Sequence, residues 1–461
     1  MRDPIDVWLY GTRMASIVES RHGRLELTWD SDALDRWGPG ARLLSAKMTV
    51  GDRPVAALVK NYLDGLLPEG NARVNHALSA GVPPDDTFAL VRAYGRDSPG
   101  AAIFVTEGAG DPTRAGRYEP LTPGDVADRL RRADEHSPAT HDGLVGESST
   151  LPGMVPKITL HRDGDAWFSC KDGAASTWII KRASAAGTGI TDVVDTEVAC
   201  LDLARRIGLT TVSAEIFDHA GVRGIAVSRY DRAPSAESPR LHQEDLAQAT
   251  GLNTQDPNRK FQWGSQMPSL KHAADILRLD GANPDSLLRL ATFSYLVGNT
   301  DMHAKNISFM RHSDGSVALS PAYDIAMHLH HDRDNRRSAL DLNHKFLMND
   351  ITIDDVIAEG TAWGIPERRA HRVVTSTAED LATALQEIDR GDHPGVPPRA
   401  WDLVEERTYE AAEPITRSLA ARSVESQRSP LGGSEVVHSH GSSGRPVQSY
   451  TRKRRGPRRP K

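Results

Sequence analysis

Tyr295-Leu-Val-Gly-Asn-Thr-Asp301-Met-His303-Ala-Lys305-Asn306 is the stretch on which the reading of this chain turns. Behind an apolar lead-in it packs an acid, an imidazole, an amine and an amide into six residues. Asp301 and Asn306 stand five apart, and Ser320-Pro-Ala-Tyr-Asp324 supplies a second acid shortly afterwards. This is the spacing of a phosphoryl-transfer loop, in which one Asp orients or deprotonates a hydroxyl nucleophile. An Asn and a later Asp then hold the magnesium ions that bridge the ATP phosphates.

Moving back along the chain, Thr177-Trp-Ile-Ile-Lys181 ends an apolar strand on a lysine, the place of a phosphate-pairing amine. Asp195-Thr-Glu197 opens an amphipathic helix with apolar positions 198, 201, 203, 204 and 207, capped by Gly208. Glu197 lies in its first turn, within reach of Lys181. Taken singly, a strand-end lysine is usually solvated and an acid in a first turn often only complements the helix dipole. Their order with Asp301, Asn306 and Asp324 favours a site.

The outer parts are read from pattern. Residues 1–110 form a small α/β module, with strands at Asp6–Tyr10, Met14–Val18 and Arg24–Trp29, a helix turning at Pro68 and Gly70, and a helix stopped by Gly95. Residues 111–245 carry the turn Ser148-Ser149-Thr150-Leu-Pro-Gly153-Met-Val-Pro-Lys157 and further strands, ending in Ile225–Arg232. Residues 246–422 are mostly helical, and the segment from Arg240 to Gly251 reads as a helix entry. Residues 423–461 hold nine Lys or Arg against two acids amid Ser, Gly and Pro. With the whole chain at −6, that surplus of seven leaves −13 on residues 1–422. The tail is expected to be disordered.

Neither of the two cysteines, Cys170 and Cys200, sits in a metal-type pair, and no apolar run is long enough for a membrane span. A soluble cytoplasmic protein is expected. Met327-His328-Leu-His330-His331-Asp332 offers common transition-metal ligands, but it runs into Arg333-Asp-Asn-Arg-Arg and reads better as a solvated loop.

The order Leu66-Leu-Pro-Glu69, Gly95-Arg-Asp-Ser-Pro-Gly100, Gly153 to Lys157, Ile179-Ile-Lys181, Arg229-Tyr-Asp-Arg232, Gln243-Glu-Asp245, Thr300 to Asn306 and Pro321-Ala-Tyr-Asp324 resembles the HipA family. These are serine/threonine kinase toxins of type II toxin–antitoxin modules. The resemblance spans roughly residues 5–420 and implies an α+β fold: a two-lobed kinase-like body with an extra N-terminal α/β subdomain and a mostly helical C-terminal lobe. It implies Mg-ATP-dependent phosphorylation of a protein substrate, in several members an aminoacyl-tRNA synthetase, with growth arrest or persistence. It also implies a helix-turn-helix antitoxin partner, HipB, through which DNA is reached.

By position, Asp301 resembles the catalytic base, Asn306 and Asp324 the magnesium ligands, and Lys181 the phosphate-binding lysine. Thr150, Gly153 and Lys157 belong to the phosphate-covering loop. Tyr230 takes the adenine-stacking place, and Ser228 stands where the family often has an acid. His303 resembles a support of loop geometry and Lys305 an amine that steadies the transferring phosphate. Family members autophosphorylate a serine three residues before the loop glycine, which here is Thr150, preceded by Ser148 and Ser149. The family loop usually reads Gly-x-Gln-x-Lys, whereas Pro156 here removes an amide. Two other functions stay open at this point: a kinase-fold regulator that binds ATP or an antitoxin with little transfer, and a nucleic-acid binder working through its basic tail.

Overall fold

The computed structural model describes residues 2–112, 116–134, 150–153, 155–183, 192–233, 239–264, 267–331 and 336–412. Ser148, Ser149, Asp332 and the basic tail lie outside the described residues.

The first module runs β1 (Ile5–Leu9), β2 (Thr12–Glu19), β3 (Leu25–Trp29), α1 (Ser31–Trp37), α2 (Ala56–Leu66), α3 (Gly70–Ala80), α4 (Thr87–Tyr94) and β4 (Ile103–Thr106). The strands form an antiparallel sheet in the order β3-β2-β1-β4. Alternation drives it: Ile5, Val7 and Leu9 are fully buried on one face, each contributing about 1.5–3 kcal/mol on burial. Tyr10 and Gly11, both at positive φ (49° and 73°), close the β1–β2 hairpin with a two-residue turn. The turn expected at Pro68 and Gly70 is brief, because α2 ends at Leu66 and Gly70 already begins α3.

The next segment contains β5 (Arg117–Leu121), α5 (Pro123–Asp134), β6 (Lys157–Asp163), β7 (Ala166–Lys171), β8 (Trp178–Arg182), α6 (Val193–Arg206), β9 (Ala214–His219) and β10 (Val222–Ser228). The six strands order as β5-β7-β6-β8-β10-β9. Two apolar clusters cover its faces. Leu160, Ile180 and Ala226 pack with α5, while Ile225 and Val227 pack with Val194 and Leu201 of α6.

The remainder comprises β11 (His242–Asp245), α7 (Leu246–Thr250), α8 (Leu270–Leu279), α9 (Asp285–Leu296), β12 (Ser308–Arg311), β13 (Val317–Leu319), β14 (Arg337–Leu342), β15 (Lys345–Leu347), α10 (Ile353–Ala362) and α11 (Glu367–Glu387), with a last helix starting at 398. One expectation is corrected here. The helix expected from Arg240 begins only at Leu246, and His242–Asp245 is a strand paired with β12. Its inward residues, His242 and Glu244, are polar yet fully buried, so the strand's period of two carries no hydrophobic signal. Residues 270–296 hold two helices, divided by Gly281 (φ 77°) and Pro284.

A buried ion network joins the first module to the second. Arg229 forks onto Asp231 (2.9 and 2.7 Å), and Arg232 and Arg240 reach Asp97 (2.9 and 3.2 Å). Asp231 also accepts the Gly100 amide at 2.7 Å. A Cβ on Gly100, at φ 80°, would stand 2.8 Å from the Gln243 amide, so only glycine lets this turn approach β11. Two of the sequence blocks quoted above therefore form one structural joint.

Candidate active site

A cleft of about 590 Å³ opens between the six-stranded sheet and the helical part. It is lined by Gly153, Lys157, Lys181, Glu197, Ser228, Tyr230, Asp301, His303, Lys305, Asn306 and Asp324, so most of the sequence-predicted site residues converge on one cavity.

Period-two alternation in β8 sends Ile180 into the core, while Ile179 and Lys181 face the cleft. The Lys181 ammonium lies 2.8 Å from Glu197 and also pairs with Asp324. Burial alone would lower the Lys181 pKa, but Asp324 and Glu197 outweigh it and hold the amine charged. Burial likewise favours a neutral Asp324, yet Lys181 keeps its carboxyl well below the usual range. Asp324 has φ 55°, a left-handed conformation that Asp tolerates better than most residues.

Asp301 opens onto the same cleft. The surrounding walls and the Asp324 charge push its carboxyl up to about 7, the range of a working general base. Its carbonyl accepts the Asn306 side-chain amide at 2.9 Å and the His303 backbone amide at 2.8 Å, which tightens the loop into one turn. That leaves the Asn306 side-chain carbonyl as a hard oxygen donor on the same cleft as the Asp324 carboxylate, donors of the kind magnesium takes. His303 is buried edge-on against Phe261 (5.4 Å between ring centroids). Burial and nearby Lys260 take its pKa down to about 3, so the ring is neutral.

The loop residues divide. Gly153, at φ 115°, is the point where the chain crosses Lys157, and a Cβ there would sit 2.5 Å from the lysine nitrogen. Lys157 donates to the Pro152 carbonyl at 2.6 Å, and burial beside Lys181 lowers its pKa to about 8. Thr150 does not line the cleft; it is fully buried, and its hydroxyl has no hydrogen-bond partner among the described residues. Ser228 accepts the Ser213 amide through its hydroxyl. Tyr230 packs against Tyr323 (5.2 Å) and donates to Gln243 at 2.6 Å.

Lys305 is placed differently from its expected reach toward phosphate. It is buried, donates to the Gly65 carbonyl at 2.9 Å, and lies 3.6 Å from both Glu69 and Asp245. Lys260, which sequence reasoning passed over, pairs with Glu69 at 3.0 Å and also lines the cleft. Glu69 also donates its backbone amide to the Gly153 carbonyl at 3.2 Å, so the first module holds the turn at Gly153 directly. The signal for Glu69 was its place in the Leu66-Leu-Pro-Glu69 block; Lys260 had none.

Known proteins match the chain along most of its length. Residues 5–105 match the model of the HipA N-terminal domain, and residues 149–385 that of the HipA-like C-terminal domain. The kinase candidate Y4mE of Sinorhizobium fredii is 29% identical over 400 residues, covering 83% of this chain and 92% of its own. The serine/threonine-protein kinase toxin HipA of Shewanella oneidensis is 25% identical over 365 residues, covering 76% and 82%. The structure of S. oneidensis HipA with HipB and operator DNA superposes with a TM-score of 0.69 at 22% identity, over 90% of this chain and 97% of that one. The fold is thus the kinase-like α+β arrangement, and the chain belongs to the HipA family.

Proposed function

We propose that the chain is a serine/threonine protein kinase toxin that transfers the ATP γ-phosphate to a hydroxyl of a protein substrate in the cytoplasm. The observation that carries this reading is Lys181 held between Glu197 and Asp324 in the cleft that also presents Asp301. Two buried, unpaired cysteines suit a reducing compartment.

Magnesium held by Asn306 and Asp324 would neutralise charge on the phosphates. Lys181 and Lys157 bind phosphate oxygens, and Tyr230 and Ser228 border the place for the base. Asp301 takes the proton from the substrate hydroxyl. The hydroxyl oxygen forms the new bond to the γ-phosphorus as the bond to the β–γ bridging oxygen breaks, and ADP leaves with that electron pair. Lys305 acts from behind, fixing the catalytic loop to Gly65 and Glu69 of the first module. Thr150 can accept phosphate only after its segment leaves the buried position, so self-inactivation requires the loop to turn outward. The family supports an antitoxin partner of the HipB type, with DNA reached through it and an aminoacyl-tRNA synthetase as one substrate class.

The test is incubation with Mg-ATP beside an Asp301→Asn copy, with ATP binding and phosphosite mapping by mass spectrometry. Phosphate on the unmutated chain alone, at Thr150, Ser149 or Ser148, or on added protein, is the expected result. ATP binding without transfer in either protein would move the reading to a regulator that holds ATP or antitoxin, and absence of ATP binding would end the kinase reading.

A further inference from the structure

Asp192 immediately precedes α6, in the N-cap position, and its side chain makes no capping bond to the helix. An Asp at that position ordinarily accepts an amide of the first turn. Its carboxylate turns instead to two imidazoles of a different segment. His330 Nε2 stands 2.7 Å from one oxygen and His331 Nε2 2.6 Å from the other. The three side chains are nearly enclosed, at 15%, 6% and 8% exposure, and their ligand atoms lie within 4.8 Å of one another. His328, third of the local histidines, is committed elsewhere: its Nδ1 accepts the Thr300 amide at 3.1 Å.

We propose that Asp192, His330 and His331 form a binding site for a divalent transition metal, Zn²⁺ by preference, which clasps the start of α6 to the segment following Asp324. Two imidazole nitrogens and one carboxylate oxygen are the donors Zn²⁺ takes, at about 2.0–2.2 Å in a tetrahedral arrangement whose fourth place is left to water. The neutral rings bind through Nε2 and carry their protons on Nδ1. His330 Nδ1 is buried without a hydrogen-bond partner among the described residues. That ring lacks the acceptor that would raise its basicity, so the expected affinity is micromolar. The position gives the site a consequence. Asp192 lies five residues before Glu197, and His330 lies six after Asp324, the two acids that embrace Lys181. A metal at this point ties together the two segments whose alignment the cleft depends on. Its effect on catalysis rests on the kinase reading above; its existence does not.

The experiment uses the full chain, stripped with chelator and held in saturating Mg²⁺ so that the oxygen donors of the cleft are filled. Co²⁺ is titrated by visible absorption, and Zn²⁺ by competition with a chromophoric chelator, both without ATP. His330→Gln/His331→Gln is the matched variant, because glutamine keeps an N–H donor for Asp192 yet is a poor metal ligand. The expected result is one equivalent of Co²⁺ with the intense band of a four-coordinate site, displaced by Zn²⁺, and affinity at least tenfold weaker in the variant. If that variant does not fold by circular dichroism, Asp192→Asn carries the same comparison. No four-coordinate band, or equal binding in the variant, would overturn the site. Zn²⁺ is further expected to slow amide exchange at 193–197 in the unmutated chain; binding without that slowing would overturn the clasp.

Discussion

Two of the buried ion clusters among the described residues behave in opposite ways. At the joint between the first module and the sheet, Asp97 and Asp231 face Arg229, Arg232 and Arg240. Other donors of Arg229 and Arg232 reach the Ser98 and Gly100 carbonyls and the Ser176 hydroxyl, and Arg240 reaches the Arg96 and Gly173 carbonyls. Guanidinium groups stay charged and bind in planar forks, so this cluster has one protonation state and one geometry. In the cleft the acids face lysines: Glu197 and Asp324 share Lys181, Glu69 holds Lys260 and Lys305, and one side opens to a cavity of about 590 Å³. There Asp301 is pushed up to about 7 and Lys157 down to about 8. A closed arginine network fixes structure, whereas an open lysine–carboxylate cluster keeps groups that can exchange protons and accept a charged ligand.

The largest effect that tests this contrast is on stability at the joint. Asp231→Asn leaves Arg229 and Arg232 buried with half their counter-charge, which is expected to cost about 3–5 kcal/mol in urea unfolding. A midpoint equal to the unmutated protein's would break the distinction. Asp301→Asn is expected to do the reverse. Phosphotransfer should fall by at least about a hundredfold, with stability unchanged or slightly higher at neutral pH. The sign follows from the raised pKa: this carboxyl contributes stability below its ordinary range near 4, and that contribution is lost as pH rises through about 7. The amide removes that dependence, so the two proteins' unfolding curves should diverge across this window.

The same contrast explains what was legible in the sequence. Asp301, Asn306, Asp324, Lys181 and Glu197 were readable because the chemistry sets their spacing and because local periodicity fixes which face each occupies. Ile180 points inward, so Lys181 points to the cleft. Lys260 was invisible, since its meaning comes from Glu69, 191 positions away. The partners of Lys305 were hidden for a related reason: a lysine in a catalytic loop suggests phosphate, and nothing local announces the Gly65 carbonyl or the acids Glu69 and Asp245 that surround it. The strand His242–Asp245 was hidden because its buried residues are polar and paid for by distant partners, Leu44 for His242 and Arg311 for Glu244. Tertiary ion pairs leave no pattern in a local window.

A smaller effect sharpens the account of the open cluster. Asp301 must be unprotonated to accept a proton, so the rate is expected to fall as pH drops below about 7. Lys157 must be charged to hold phosphate, so the rate is expected to fall again above about 8. The resulting bell is measured in single-turnover transfer. Lys157→Arg should remove the alkaline limb alone, because arginine does not titrate there; an unchanged limb would exclude Lys157 as its source.

The smallest effect concerns Thr150. Its hydroxyl is fully enclosed and has no hydrogen-bond partner among the described residues, while Leu151, Pro152 and Gly153 beside it line the cleft. Valine has the same shape without the hydroxyl, so Thr150→Val is expected to raise stability by about 1 kcal/mol by relieving an uncompensated polar group. Thermal unfolding reads that change, and a loss of stability would show that the hydroxyl is satisfied after all. Phosphosite mapping on the same variant gives the second half of the answer. If Thr150 is the acceptor, the more stable protein gains no phosphate at this position. Its loop then stays inward for longer, since the polar group that favoured leaving the core is gone.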